Sequence, residues 1–339
     1  RGKDATSEMI IPLPSETEES YFDGVKFLMD NEVQTRTYTL MMLCGAELGR
    51  DKAIKDFGMK SKWRILPKQF GEYRGTKILE IEQICVGTNS MSYKEYLNCR
   101  NYSFIVKLMG HSVLKPIKKL TDKLGIKWFD FSLAVSNLIQ KNEYSGKFKD
   151  LFKDFCKESH DELFDSKLEA IQFYSDKKNY KSLLNGDIGE NLMSKYTGRA
   201  LLVLDDIIST LFYVLRNRFK EKFNSELEIV LNSSEKWLKN LYLINIIYSD
   251  KKIENSYVEN LKIDFDFPEW LLNEKQPFEN FTRKSTYKFN LDFKKINYIK
   301  DEIDSVTLVG KDKQRAFARY IERRSSESNF FKKDYQKLY

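Results

Sequence analysis

The sequence predicts an α+β protein that is mainly α. Three observations carry this. Residues 7–48 read as one strand–turn–helix–strand unit. Residues 112 to about 223 keep a helical pattern almost throughout. The 339 residues are 41% apolar and 14% aromatic but include only 15 Gly and 6 Pro, a balance that suits long helices better than an all-β fold. The length accommodates one large or two ordinary domains.

Taken in order, Met9 to Leu13 is a short apolar run ended by Pro12 and Pro14, the pattern of a buried strand entering a rigid turn. Ser15 and Glu18 form an S-x-x-E capping box, which predicts a helix opening there. Tyr21, Val25 and Leu28, widened by Phe22 and Met29, give its apolar stripe, and Asp30 and Asn31 stop it. Thr37 to Leu43 is a second β-branched and apolar run, ended by Gly45. Two buried strands joined by a helix should lie parallel, with any ligand at their carboxyl ends. The first strand begins almost at Arg1 and needs neighbours on both sides, which predicts partner strands upstream of this sequence.

A short helix is expected over residues 50–57, then a long loop over residues 58–75, whose Trp63 and Phe70 argue against disorder. Lys77 to Val86 alternates as a strand, with Glu80 and Glu82 on one face as a solvated polar edge rather than an acid/base pair. Ser92 caps a helix running to Met109, and Gly110 ends it. Breaks in the following helical region are expected at Gly125, Asn142 to Gly146, Asn179, and Asn185 to Gly189. Glu226 to Tyr248 reads as one helix, Lys262 to Phe267 and Tyr287 to Phe293 as two strands able to pair, and Lys311 to Tyr339 as a final basic helix. The α/β part hands over to the helical part near residue 110, giving domains 1–110 and 111–339.

Net charge is +7, and residues 283–339 hold 15 Lys and Arg against 8 Asp and Glu, so the basic surface belongs to the C-terminus. Cys44, Cys85, Cys99 and Cys156 have no C-x-x-C spacing, and His111 and His160 stand alone, which excludes a local zinc or iron–sulfur motif. Wide cysteine spacing without a signal peptide predicts reduced thiols and a cytoplasmic location. Residues 200–215 are too short and too charged, with Asp205 and Asp206, to span a membrane.

The turns Pro12-Leu13-Pro14-Ser15-Glu16-Thr17 and Leu43-Cys44-Gly45-Ala46-Glu47-Leu48 are followed by Phe70-Gly71-Glu72-Tyr73, Val86-Gly87-Thr88-Asn89-Ser90-Met91-Ser92 and Tyr96-Leu97-Asn98-Cys99-Arg100. In this order they resemble the C-terminal end of the barrel of bacterial radical SAM proteins that carry an N-terminal cobalamin-binding domain. In that family the two turns read G-L-P-G-E-T and L-P-G-T-E-L. The resemblance covers the first 110 residues, about a third of the chain. It implies the end of a (β/α) barrel followed by a large helical C-terminal domain with a small β element. Pro12 and Ser15 replace family glycines, Cys44 replaces a proline, and the C-x-x-x-C-x-x-C motif is absent.

The resemblance implies that Ile11, Pro12, Leu13, Pro14, Met42 and Leu43 contact S-adenosylmethionine. It also implies that a 4Fe-4S cluster and cobalamin are held by upstream parts. Glu16 and Glu47, at the carboxyl ends of the two strands, and Arg64, Glu72 and Tyr73, in the expected covering loop, are the candidate contacts to a small-molecule or conjugated substrate. Arg64 suits a phosphate or carboxylate. The expected activity is reductive cleavage of S-adenosylmethionine for radical methylation or a related C–H transformation. The alternative is a non-catalytic helical module that docks a protein or RNA through the basic tail, with Arg315, Arg319, Arg323, Arg324, Phe330, Phe331 and Tyr335. A solvated terminal helix accounts for that tail better than nucleic-acid binding does.

Overall fold

The structure is a computed structural model that describes residues 5–141, 144–222, 224–249, 254–310 and 331–338, with 317, 320, 321 and 324. It is 57% helix and 20% strand, so the α+β, mainly α class holds. In chain order the elements are β1 (Thr6–Ile11), α1 (Glu18–Asp30), β2 (Gln34–Thr39), α2 (Asp51–Asp56), β3 (Lys60–Tyr73), β4 (Thr76–Gly87), α3 (Tyr93–Met109), α4 (Lys115–Lys123), α5 (Trp128–Gln140), α6 (Lys147–Asp161), α7 (Lys167–Ser175), α8 (Lys177–Asn185), α9 (Leu192–Leu202), α10 (Leu204–Arg218), α11 (Ser225–Leu241), α12 (Ile244–Tyr248), β5 (Tyr257–Ile263), α13 (Phe267–Leu272), β6 (Ser285–Leu291), α14 (Phe293–Gly310) and β7 (Asp334–Leu338). They form two compact units, residues 1–110 with 152–196 and residues 111–151 with 197–339. The division therefore differs from a single boundary near residue 110, because residues 152–196 return to the first unit.

In the first unit, β1 and β2 pair in parallel from Thr6–Gln34 to Ile11–Thr39. Thr17, not Ser15, caps α1. Its side chain accepts from the Ser20 N–H, and Ser20 closes the box. Ser15 is unavailable as a cap because it sits in the preceding turn at φ +66°, closed by the Glu16 N–H donating to the Leu13 carbonyl. Tyr21, Val25 and Met29 are the buried face of α1, each contributing roughly 1.5–3 kcal/mol by leaving water. The Tyr21 hydroxyl bonds Thr37 at 3.2 Å, and Phe22 stacks on Tyr102 of α3 at 4.7 Å. The opposite face of the pair, with Glu8, Ile10, Arg36 and Tyr38, is exposed. Among the described residues β1 pairs only with β2, and the described strands close no barrel.

The chain after Thr39 continues beside β4. The Cys85 N–H donates to the Leu40 carbonyl and the Met42 N–H to the Gln83 carbonyl. Residues 58–75, expected as a loop, contain β3, a 14-residue strand antiparallel to β4. The register shifts between Ile65 and Phe70, and Lys68 within that bulge takes φ +66°. A bulge on an edge strand accommodates Pro67, which cannot donate to a ladder. Arg74 and Gly75, both at positive φ, make the two-residue turn, whose twist matches a hairpin. α3 matches its expected bounds, with a Ser92–Glu95 capping box and Gly110 at its end.

In the second unit, Gly125 takes φ +65° at the end of α4, as its expected break requires. In the first unit the break expected at Asn179 lies instead at Asp176, whose carboxylate caps α8. The single helix expected over residues 226–248 is two, α11 and α12. A β element is present but shifted and larger: the strand expected over Lys262 to Phe267 lies earlier, as β5, Phe267 instead opens α13, and β5, β6 and β7 form an antiparallel sheet. The final basic helix is corrected in part, since residues 334–338 are strand β7. Arg315, Arg319, Arg323 and Phe330 lie outside the described residues. The charges of β7 and of Lys333 just before it serve the sheet. Lys337 bonds the fully buried Asp266, which also accepts from Tyr287 at 2.5 Å, Ser285 at 3.1 Å and Arg283 at 3.3 Å. Lys333 pairs with Glu259 at 2.5 Å, and Tyr335 packs edge-on against Trp237 at 4.8 Å. Burial alone would raise the Asp266 carboxyl. Lys337, Tyr287 and Ser285 outweigh it and hold the group below its ordinary value. No described helix is long and apolar enough to cross a membrane.

Candidate functional site

Parallel register places the carboxyl ends of β1 and β2 side by side, the Leu40 N–H donating to the Ile11 carbonyl at 2.8 Å. Each end runs into a tight turn. After β1, Ile11 and Pro12 are buried, Pro14 is half-buried and Leu13 is 36% exposed. After β2, Leu43 is 54% exposed and Gly45 takes φ +86°. A Cβ on Gly49 would lie 2.4 Å from the Leu43 carbonyl oxygen, so the turn closes only with glycine there. The two turns thus present apolar surface, Leu13 and Leu43, beside backbone.

Glu16 is half-buried at the first turn. Burial pushes its carboxyl above the ordinary value, and the Leu13 N–H, 3.2 Å from Oε2, pulls the other way. Glu47 is exposed in the short turn Glu47–Gly49 after β2. Met42 packs against Leu40, Met59 and Cys85, which makes it a contributor to the local core. Glu72 and Tyr73 are exposed at the tip of the β3–β4 hairpin, where Arg74 lies over the Tyr73 ring. At about 3.3 Å per residue along a strand they stand on the order of 20 Å from Arg64. The structure therefore gathers Ile11, Pro12, Leu13, Pro14, Glu16, Leu43 and Glu47 around the two strand ends, and separates Arg64 from Glu72 and Tyr73.

Arg64 belongs to a buried ionic network that links β2, β3, β4, α3 and the segment after α6. Its Nε donates to Glu82 Oε1 at 2.5 Å and its Nη1 to Glu162 Oε1 at 3.2 Å. Arg100 Nη2 donates to the same Glu162 oxygen at 2.8 Å, and Nη1 reaches Thr39 Oγ1 at 3.5 Å. Thr39, the last residue of β2, also bonds the Tyr96 hydroxyl at 3.0 Å. Burial works against the Arg64 charge, but Glu162 and Glu82 outweigh it and hold the guanidinium protonated. Arg100 is 7% exposed. Its Nε and Glu82 Oε2 are buried without a hydrogen-bond partner. Lys62, paired with Asp165 at 2.5 Å, lies over the Tyr93 ring beside this network, and Tyr93 faces His160. Arg100, Glu162, Thr39 and Tyr96 were not among the predicted site residues. The available signal was an arginine on the apolar side of α3, whose buried face includes Tyr96, Cys99, Ser103 and Phe104. A charge at such a position must find a partner.

Burial pushes the thiols of Cys85, Cys99 and Cys156 upward, Cys156 to about 12, so none of the three is poised as a thiolate ligand. Among the described residues no group of three or more His, Cys, Asp or Glu is placed to hold a metal ion. A 4Fe-4S cluster does not fit the donors of this chain. No protein-family model and no curated protein matches the chain.

Proposed function

We propose that this chain is the C-terminal part of a radical SAM enzyme of the cobalamin-associated type, which reductively cleaves S-adenosylmethionine for radical methylation or a related C–H transformation. One observation carries the reading. Ser15 and Gly45, which match glycines of the family turns, both take positive φ at the carboxyl ends of adjacent parallel strands. Positive φ is the conformation in which glycine meets no Cβ penalty. The exposed face of β1 and β2 adds support, because parallel strands are ordinarily covered on both faces; strands from outside this sequence would cover it. The 4Fe-4S cluster and cobalamin would be held by such outside parts.

In this reading Ile11, Pro12, Leu13, Pro14 and Leu43 hold S-adenosylmethionine by apolar and backbone contacts, and Met42 supports Leu43 from the local core. Glu16, with its raised carboxyl, and Glu47 face the substrate. The small-molecule or conjugated substrate itself is not named by these contacts. The RNA-docking alternative loses ground because the described basic residues of the tail have partners within the chain, Lys333 on Glu259, Lys337 on Asp266 and Arg324 on Glu302.

The test is equilibrium dialysis of labelled S-adenosylmethionine against the protein made from the complete open reading frame that contains this sequence. Binding is expected, with Leu13→Asp and Leu43→Asp each weakening it about tenfold or more. Their melting should stay unchanged, since both side chains are exposed. No binding by a folded protein would overturn the proposal.

A further inference from the structure

We propose that Arg64 and Arg100 form a binding site for a phosphate or carboxylate group, held in this structure by the chain's own Glu162. The site goes beyond the proposed reaction and stands whether or not S-adenosylmethionine binds at the strand ends.

The geometry favours a displaceable anion over a finished salt bridge. An arginine and a carboxylate pair best as a two-bond fork. Here two guanidiniums converge on the single atom Glu162 Oε1, at 3.2 and 2.8 Å, and neither makes a fork with it. Each guanidinium carries five N–H groups. The network leaves one donor, Arg100 Nε, and one acceptor, Glu82 Oε2, buried and unpaired. Leaving such a group unpaired is unfavourable. A phosphate brings more oxygens than the Glu162 carboxylate it replaces, and a free carboxylate can pair as the two-bond fork that Glu162 does not make.

The position also suits a ligand. The Arg64 and Glu162 side chains, 18% and 13% exposed, are the more open part of the network, and those of Arg100 and Glu82, 9% and 8% exposed, the more buried part. Glu162 follows the last residue of α6 and precedes the Phe164 bridge to Trp63. Its side chain can turn away without unwinding a helix. Two residues earlier His160 faces the Tyr93 ring, over which Lys62 lies. Through Thr39 the Arg100 guanidinium reaches the last residue of β2. Glu82 remains to hold Arg64 when Glu162 leaves.

The experiment follows melting of the full protein in inorganic phosphate and in acetate, with ionic strength held constant by chloride. Ligand binding to the folded state raises the melting temperature with concentration. Glu162→Ala is expected to melt lower than wild type in chloride, to recover as phosphate or acetate is added, and to bind the better of the two about tenfold more tightly than wild type. Which anion restores more identifies the group recognised. The double variant Glu162→Ala with Arg100→Met should lose that response. Should Glu162→Ala fail to fold, Glu162→Gln takes its place, keeping the side-chain length and an accepting oxygen, with ³¹P line broadening as the readout. A Glu162 variant that responds to neither anion beyond the response of the double variant would overturn the proposal and leave the arginines as scaffold.

Discussion

Arg100 and Glu162 stand 62 residues apart in the chain and 2.8 Å apart in the fold. With Arg64 they tie the β3–β4 hairpin and α3 to the segment that follows α6. Breaking such a buried pair from one side strands the remaining charge, at a cost of about 3–5 kcal/mol. Arg100→Ala should lower the stability read by urea unfolding by that amount. Arg100→Lys should recover little, because a point charge cannot reach Glu162 and Thr39 together. A loss of less than about 1 kcal/mol in Arg100→Ala would place the pair in the weakly coupled, solvent-screened class.

Ser15 holds a left-handed backbone conformation that disfavours any residue with a Cβ by about 1–2 kcal/mol. Ser15→Gly should therefore stabilise the protein by about 0.5–1 kcal/mol, after the extra freedom of glycine in the unfolded chain is deducted. Thermal melting measures it. A lower melting temperature would show that the turn after β1 relaxes to another conformation.

Gly45 and Gly49 flank the same turn but constrain it differently. A Cβ on Gly45 meets nothing within 4 Å, so Gly45→Ala should cost only the price of positive φ, about 1–2 kcal/mol. A Cβ on Gly49 would press into the Leu43 carbonyl oxygen. Gly49→Ala should cost about 1–3 kcal/mol through overpacking and should also move Leu43. Amide chemical shifts at Leu43, changed by Gly49→Ala and unchanged by Gly45→Ala, are the expected signature.

Asp266 links acidity to the β5–β6–β7 sheet. Its folded carboxyl titrates below the unfolded value of about 3.9. A depressed acid stabilises fully above the unfolded value and loses that contribution as pH falls through the lower, folded one. Wild type should therefore lose stability below about pH 4 more steeply than Asp266→Asn, which is less stable at neutral pH because Lys337 is left facing an uncharged amide. Urea midpoints across the acid range read both slopes. Parallel slopes would assign the acid sensitivity to other carboxylates.

Much of the α3 region was legible because its signals are local. Ser92, Glu95 and Gly110 specify both ends of one helix within a span that sequence reading can survey. β3 was obscured for an equally local reason. Pro67 and the positive φ of Lys68 interrupt the alternation on which a strand is recognised, and the bulge that accommodates them is visible only once β4 lies alongside. The strand-end turns were legible as turns, whereas the partners of Arg64 were not. Glu82 lies 18 residues away and Glu162 lies 98 residues away, so no window of the sequence contains the network. The terminal strand failed for the same cause. Lys337 reads as helix-compatible until its partner Asp266, 71 residues earlier, is in place.

That last pairing sets a timetable for synthesis. The first unit has all of its segments once Tyr196 has been made. The three-stranded sheet of the second unit waits for β7, some 140 residues later. At about 5–20 residues per second this is an interval on the order of ten to thirty seconds. Until then Asp266 lacks its lysine, Trp237 lacks the Tyr335 ring, and the outer edge of β6 is bare. A nascent chain at that stage is half finished in a specific way. A chaperone that shields an unpaired strand would find its target on β6, and synthesis halted before Asp334 would leave a second unit whose sheet cannot close.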